Sequence, residues 1–196
     1  MGTRRIHNNL VREATIKGKR TEKLAIFDLD DTLIISAAKI KVLDPKNGKV
    51  LKELTPAEFN HFTHADPSKV KLSFAEFEDA DVLRKSTFIT HIMEELLNFY
   101  NNGVHVSIVT ARSSSALIRN FFLENGIDIH PDLVIAVNDP KYGFKGNIAE
   151  RKKEAIHRFV EEGYNDFIFF DDNDDNLMLA KDIEKEADVK VETIKV

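Results

Sequence analysis

The sequence predicts an α/β fold built on a mostly parallel central sheet, and three observations support this. Short apolar segments typical of buried strands alternate along the chain with segments of helical periodicity. Three of the strand-like segments end abruptly in polar or acidic residues. The chain has 196 residues, is 42% hydrophobic and contains no cysteine, which suits one domain that folds without disulfides.

The first segment, residues 1–22, is predicted to be a basic arm ahead of the folded domain. Residues 1–23 carry seven basic and two acidic side chains, a net charge of +5, whereas the whole chain has a net charge of −5. Such an arm either contacts nucleic acid or is a solvated leader. Because no apolar run is long enough for a membrane span or a secretion signal, we expect a cytoplasmic location and no membrane partner.

The folded domain is predicted to run from residue 23 to residue 196. Lys23–Phe27 is an apolar run that predicts the first strand. Residues 37–54 show two alternating runs around Asn47-Gly48, a dipeptide typical of tight turns, and therefore predict a β-hairpin. This hairpin, with an irregular segment after it, forms a small flap or cap inserted at about residues 36–85.

The second half of the chain repeats the alternation of helix and strand. Helices are predicted from Ser86 or Thr87 to about residue 100, from Ser113 or Ser114 through residue 122, over 148–162 and over 177–185. Strands are predicted over 104–109, 133–137, 167–170 and 189–196. Successive βαβ units imply a Rossmann-like three-layer sandwich with a mostly parallel central sheet, to which the small hairpin flap or cap is added.

Chemically active side chains follow the strands at the points where they end. Asp28, Asp30, Asp31 and Thr32 follow the strand predicted over 23–27. Thr110 follows the strand predicted over 104–109, and Asp171 and Asp172 follow the strand predicted over 167–170. Because the carboxyl ends of parallel strands share one edge of a sheet, we expect these groups to converge. Clustered carboxylates repel one another, and a hard divalent cation such as Mg²⁺ would hold them together.

These residues, in this order, resemble the haloacid dehalogenase superfamily of phosphohydrolases. The motifs that carry the resemblance are Asp28-x-Asp30-x-Thr32 after an apolar strand, Thr110 after another, a lysine on a helix, and Asp171-Asp172-x-x-x-Asn176. They cover about residues 23–36 and 104–180. The resemblance implies a Mg²⁺-dependent phosphatase that acts through an aspartyl-phosphate intermediate.

The resemblance also implies roles for these positions. Asp28 would be the nucleophile, and Asp30 would protonate the leaving oxygen and then deprotonate the attacking water. Thr110 would donate a hydrogen bond to the phosphoryl group, and Thr32 would contribute to substrate binding. The implied magnesium ligands are Asp28, the backbone carbonyl of Asp30, and Asp172, with Asp171 in the same metal site and Asn176 orienting it.

The helical lysine can be chosen from Lys145, Lys152 and Lys153. Lys152 lies three, four, seven and eight residues before the apolar residues of its helix, whereas Lys153 is rotated by roughly 100° toward solvent. Helical phase therefore favours Lys152 as the catalytic lysine, with Lys153 next. Arg112 precedes a helix N-terminus, where it would either hold phosphate or substrate or form a surface salt bridge.

The size of the insertion indicates what kind of substrate could enter. An insertion of about 50 residues is too small for a large helical cap, so the site would admit bulky substrates. The short cap and the spacing from Lys152 to Asp171 are similar to the 3′-phosphatase domain of polynucleotide kinases, although the chain has no kinase P-loop. The expected substrates are therefore nucleic-acid phosphate ends or nucleotides, with a small phosphorylated molecule such as a sugar phosphate as the alternative.

Other uses of the same residues remain open at this stage. A phosphoaccepting signalling domain also clusters acids on a parallel sheet, but its lysine would follow the threonine strand. A catalytically idle scaffold is the other alternative, although both Asp28 and Asp30 are retained. Phe59, Phe62, Phe74 and Phe77 could stack on bases, but a small core under the insertion is the favoured interpretation.

Overall fold

The computed structural model describes residues 22–62 and 69–196, and the predicted basic arm lies outside the described residues except for Glu22. In chain order the strands are β1 Lys23–Phe27, β2 Ile34–Ile35, β3 Ile40–Leu43, β4 Val50–Leu54, β5 Lys71–Ser73, β6 Thr87–Phe88, β7 His105–Thr110, β8 Val134–Ala136, β9 Asp166–Asp171 and β10 Lys190–Lys195. The α-helices are α1 Pro56–Asn60, α2 Ala80–Arg84, α3 Thr90–Asn101, α4 Ser115–Glu124, α5 Ile148–Glu161 and α6 Asp174–Glu186.

The central sheet has five strands in the order β10-β9-β1-β7-β8, and every neighbouring pair is parallel. Parallel neighbours require crossover connections, which are right-handed in nearly all proteins. This rule places α3 and α4 on one face of the sheet and α5 and α6 on the other. The prediction of a Rossmann-like sandwich is therefore confirmed.

The predicted hairpin is present within a three-stranded antiparallel sheet of order β4-β3-β5. Its turn contains Gly48 at φ 72°, a left-handed conformation that costs glycine little. The third strand, β5, had no clear signal in the sequence because it is only three residues long. Ile40, Val42 and Leu54 are buried between this sheet and partly buried phenylalanines, so the insertion has a small core of its own.

The beginning of α3 differs from the sequence prediction. Ser86 and Thr87 do not cap this helix, which begins at Thr90 after an N-cap at Ile89. Thr87 instead pairs with Ile35 in the short β2–β6 ladder, and the Ser86 hydroxyl accepts a hydrogen bond from the Ala37 backbone amide at 3.0 Å. These pairings join the two chain segments through which the insertion connects to the main sheet.

The remaining predicted helices and strands lie within a few residues of their expected bounds. The N-cap of α4 is Ser114, whose side chain accepts from the backbone amide of Leu117. Asn147 and Glu150 form a capping box at the start of α5. Among the described residues, no helix has both the length and the apolar composition needed to cross a membrane.

Candidate active site

The site lies at the carboxyl edge of the central sheet, where β1 ends between β7 and β9. The register pairs Phe27 with Ile108 on one side and with Phe170 on the other. The backbone amide of Asp28 donates to the Phe170 carbonyl at 2.9 Å, which carries the ladder one step past the last paired residue. The next residue of each strand, Asp28 on β1 and Asp171 on β9, is therefore held at the same level.

Lys152 lies between these two carboxylates. Its ammonium group donates to Asp28 Oδ1 at 2.6 Å and to Asp171 Oδ2 at 2.7 Å, and all three side chains are buried. Burial by itself lowers the pKa of Lys152, but attraction to Asp28 and Asp171 outweighs it and the net pKa is raised. Lys152 therefore remains positively charged inside the protein.

The choice of lysine follows from the buried face of α5. Ala149, Ala155, Ile156 and Phe159 are buried with Lys152 at intervals of three and four residues. Lys153, one residue later, is turned outward and pairs with Glu186 on α6.

Asp171 is fully buried, and hydrogen bonds engage both of its oxygens. Oδ1 accepts from the Asn173 backbone amide at 2.8 Å and from the Asn176 side-chain amide at 2.9 Å. Oδ2 accepts from Lys152 at 2.7 Å and from the same Asn176 nitrogen at 3.1 Å. Asn176 stands in the first turn of α6, so this helix fixes the orientation of the Asp171 carboxylate.

Asp172 brings a third carboxylate to the site. One oxygen each of Asp28, Asp171 and Asp172 lie within 4.8 Å of one another. Partial burial and repulsion from Asp171 raise the pKa of Asp172 to about 6. Burial also raises the pKa of Asp28 well above its ordinary value, with Lys152 opposing this effect and Asp171 adding to it.

This donor set fits a hard divalent cation. Mg²⁺ prefers oxygen ligands and binds through one or two carboxylates, keeping water or substrate phosphate in its other positions. Hydrogen bonds among the described residues occupy only Oδ1 of Asp28, which leaves its second oxygen for a ligand. Asp28 and Asp172 are thus better placed as direct ligands than Asp171, whose oxygens accept from Lys152 and Asn176.

The buried Arg112 forms an ion pair with the partly buried Asp30 beside this cluster. The guanidinium donates to both Asp30 oxygens, from Nε at 2.9 Å and from Nη2 at 2.7 Å. The Arg112 residue is only 3% exposed. Arg112 therefore forms a salt bridge, as one of the two alternatives predicted, but the prediction that it lies at the surface is wrong. The Asp30 carboxylate faces Arg112 and does not belong to the three-carboxylate cluster.

The two threonines of the motif are also buried. Thr110 ends β7, and its Oγ1 accepts from the Arg112 backbone amide at 3.4 Å, which leaves its own hydroxyl proton to donate. Thr32 is fully buried, and its hydroxyl has no hydrogen-bond partner among the described residues.

Asp31 lies at the same edge of the sheet, but the sequence did not predict its backbone conformation or its surroundings. Asp31 adopts φ 61°, and a favourable interaction with the backbone of Ala57 in α1 of the insertion partly offsets the rise in the pKa of its carboxyl group. Burial and the charge of Asp30 raise the pKa of Asp31. The chain reverses here because the Leu33 and Ile34 amides both donate to the Leu29 carbonyl. The acidic run predicted that Asp31 lies at this edge, but no local pattern links it to α1.

Comparison with known proteins supports the fold. One solved structure, titled "Structure of the Pnkp1/Rnl/Hen1 RNA repair complex", matches with a TM-score of 0.51 and 16% sequence identity. The match covers 91% of this chain and 43% of that one, so this chain spans less than half the length of the protein it resembles. No family model matches the chain, and no curated protein matches it.

Proposed function

We propose that this protein is a phosphomonoester hydrolase of the haloacid dehalogenase type, which acts with Mg²⁺ on phosphate ends of nucleic acids or on nucleotides. The observation that carries the proposal is the buried Lys152 ammonium bound to both Asp28 and Asp171, with Asp172 alongside. A structural acidic turn has no need to bury a lysine between the ends of two strands.

Asp28 is the nucleophile in this proposal. Lys152 holds one oxygen of the Asp28 carboxylate and supplies positive charge where an anionic phosphate must approach. A carboxylate oxygen of Asp28 attacks phosphorus, and the P–O ester bond breaks as an aspartyl-phosphate forms. Thr110 has a hydroxyl proton to donate to a phosphoryl oxygen at the same edge of the sheet.

Asp30 moves the protons. The protonated form of Asp30 gives its proton to the leaving alcohol oxygen in the first step. The resulting carboxylate takes a proton from the attacking water in the second step, when the P–O bond to Asp28 breaks and inorganic phosphate is released, and this restores the protonated form. Magnesium held by Asp28 and Asp172 would neutralise negative charge on the nucleophile and the phosphate. Asp171 and Asn176 would keep Lys152 and the metal ligands in place.

Three observations favour nucleic-acid ends over small sugar phosphates. The insertion is a compact sheet rather than a large enclosing cap, so a polymer end could reach the crevice. The structural match is to a protein from an RNA repair complex. The basic residues of the arm add positive charge that would attract a polyanion.

The test is a substrate panel of p-nitrophenyl phosphate, mononucleotides, 3′- and 5′-phosphorylated oligonucleotides and sugar phosphates, each with Mg²⁺ and with EDTA. We expect Mg²⁺-dependent release of phosphate, lost in Asp28→Asn and retained in the control Asp128→Asn, where an exposed aspartate pairs with Arg119. Preference for oligonucleotides, weakened by salt, would support the substrate class. Absence of any turnover would favour an idle scaffold, and preference for sugar phosphates would reject the nucleic-acid assignment.

A further inference from the structure

The guanidinium of Arg112 is largely occupied by hydrogen bonds within the protein. Besides the two bonds to Asp30, Nη2 donates to the Ser36 hydroxyl at 3.1 Å and Nη1 donates to the Phe77 carbonyl at 3.0 Å. The guanidinium also lies over the Phe77 ring, 5.0 Å from its centroid. Four of the five N–H groups of the guanidinium are thus engaged within the protein.

These contacts link three parts of the chain. Asp30 belongs to the turn after β1, Arg112 follows β7, and Ser36 and Phe77 belong to the insertion and the segment leading into it. The planar fork of the guanidinium fixes the plane of the Asp30 carboxylate because it binds both oxygens. The position of the Asp30 carboxylate therefore depends on how the insertion is seated.

We propose that Arg112 is a positioning residue, which holds the carboxyl group of Asp30 for proton transfer and couples its position to the seating of the insertion through Ser36 and Phe77. The inference rests on the proposed function and replaces the expectation that Arg112 holds the substrate phosphate. It requires no contact between Arg112 and the reacting phosphorus. The guanidinium acts through Asp30, which protonates the leaving oxygen as the P–O ester bond breaks.

The dependence on leaving group separates this role from phosphate binding. An alkoxide leaves poorly unless it is protonated, whereas p-nitrophenolate leaves readily without a proton. The ratio kcat/KM reports the steps up to formation of the aspartyl-phosphate, so it isolates the acid step. Loss of a residue that positions the acid should lower kcat/KM mainly for alkyl esters, whereas loss of a residue that binds phosphate should lower it equally for alkyl esters and p-nitrophenyl phosphate.

The experiment compares Arg112→Lys with the wild type on p-nitrophenyl phosphate and on the best alkyl phosphate of the panel. General acid catalysis contributes roughly 10²–10⁴-fold, so we expect kcat/KM to fall about 100-fold on the alkyl ester and only a few-fold on p-nitrophenyl phosphate. In an Asp30→Asn background the same substitution is expected to cost almost nothing further, because the carboxyl group through which it acts has gone. The inhibition constant of inorganic phosphate is expected to stay unchanged.

Ser36→Ala is the second variant, since it leaves the ion pair intact and removes only the hydroxyl that accepts from Nη2 and from the Ala38 backbone amide. It should show the same selectivity for alkyl esters with a smaller loss, even if Arg112→Lys is too unstable to assay. Equal losses on the two esters, or a raised inhibition constant for phosphate, would overturn the positioning role while leaving the phosphatase assignment intact. A wild type without turnover would overturn both.

Discussion

Replacing Lys152 by methionine tests the electrostatic centre of the site most directly. Methionine is close to lysine in length and has no charge, so the substitution leaves Asp28 and Asp171 buried without their shared cation. Removing one partner from a buried ion pair costs about 3–5 kcal/mol of unfolding free energy. A domain of this size loses about 2–4 °C of melting temperature per kcal/mol.

We therefore expect metal-free Lys152→Met to melt roughly 6–20 °C below the wild type. The matched control is Lys153→Met, one residue along the same helix, where the lysine forms a solvent-exposed pair with Glu186. Exposed pairs contribute little, so this variant should melt close to the wild type. Thermal unfolding followed by circular dichroism, with EDTA present, measures both.

The pH dependence of the stability lost in Lys152→Met checks independently that the loss comes from uncompensated buried carboxylates. The pKa of Asp28 is raised by burial, and without Lys152 nothing nearby opposes that effect as strongly. A carboxyl group with a raised pKa stabilises the fold while it is protonated, and this contribution is lost as pH rises through the folded-state pKa. The deficit of Lys152→Met should therefore be smallest near the ordinary value of 3.8 and grow toward pH 8.

Similar losses in Lys152→Met and Lys153→Met, or a deficit that does not change with pH, would refute the assignment of Lys152 as the counter-ion of buried carboxylates. The measurements at low pH remain interpretable even though acid destabilises the whole fold. Each variant is compared with the wild type at the same pH, so the loss of stability that acid causes in both proteins cancels from the difference in melting temperature.

Two further predictions concern the metal site and the helix that carries the lysine. Asp172→Asn should raise the unfolding free energy of the metal-free protein by about 1 kcal/mol at pH 7, after discounting for solvent screening, because it removes a carboxylate whose pKa is raised to about 6. This gain should disappear below pH 4, where the Asp172 carboxyl group is protonated. In the same variant, Mg²⁺ should no longer raise the melting temperature. Unchanged Mg²⁺ stabilisation in this variant would exclude Asp172 as a ligand. Asn147→Ala should cost about 1 kcal/mol in urea unfolding, because the Asn147 side chain caps α5 by accepting from the Glu150 amide at 2.9 Å; a cost near zero would mean that the cap is not formed in solution.

The local sequence was sufficient to locate the strands that frame the site. Apolar runs that end abruptly in aspartate or threonine place Asp28, Thr110 and Asp171 at the same edge, because parallel strands end together. Helical phase alone favoured Lys152 over Lys153, since a lysine at the spacing of buried apolar residues must face the sheet. The Asn47-Gly48 turn likewise predicted the hairpin.

The tertiary structure decided the features that depend on distant partners. Thr87 looked like a helix cap, but it pairs with Ile35, and a strand of two residues is too short to show an alternating pattern. Asp30 and Arg112 are 82 residues apart, and no spacing rule connects them.

Periodicity in a sequence reports which side of an element is buried, because burial repeats with the geometry of the helix or strand. It does not report which buried polar groups meet, because that depends on how separate elements approach each other in the folded chain. The sequence therefore determined the sheet, its acidic edge and the lysine that faces it. Only the folded structure showed that Arg112 is held by Asp30, Ser36 and Phe77, and so belongs with the insertion as much as with the site.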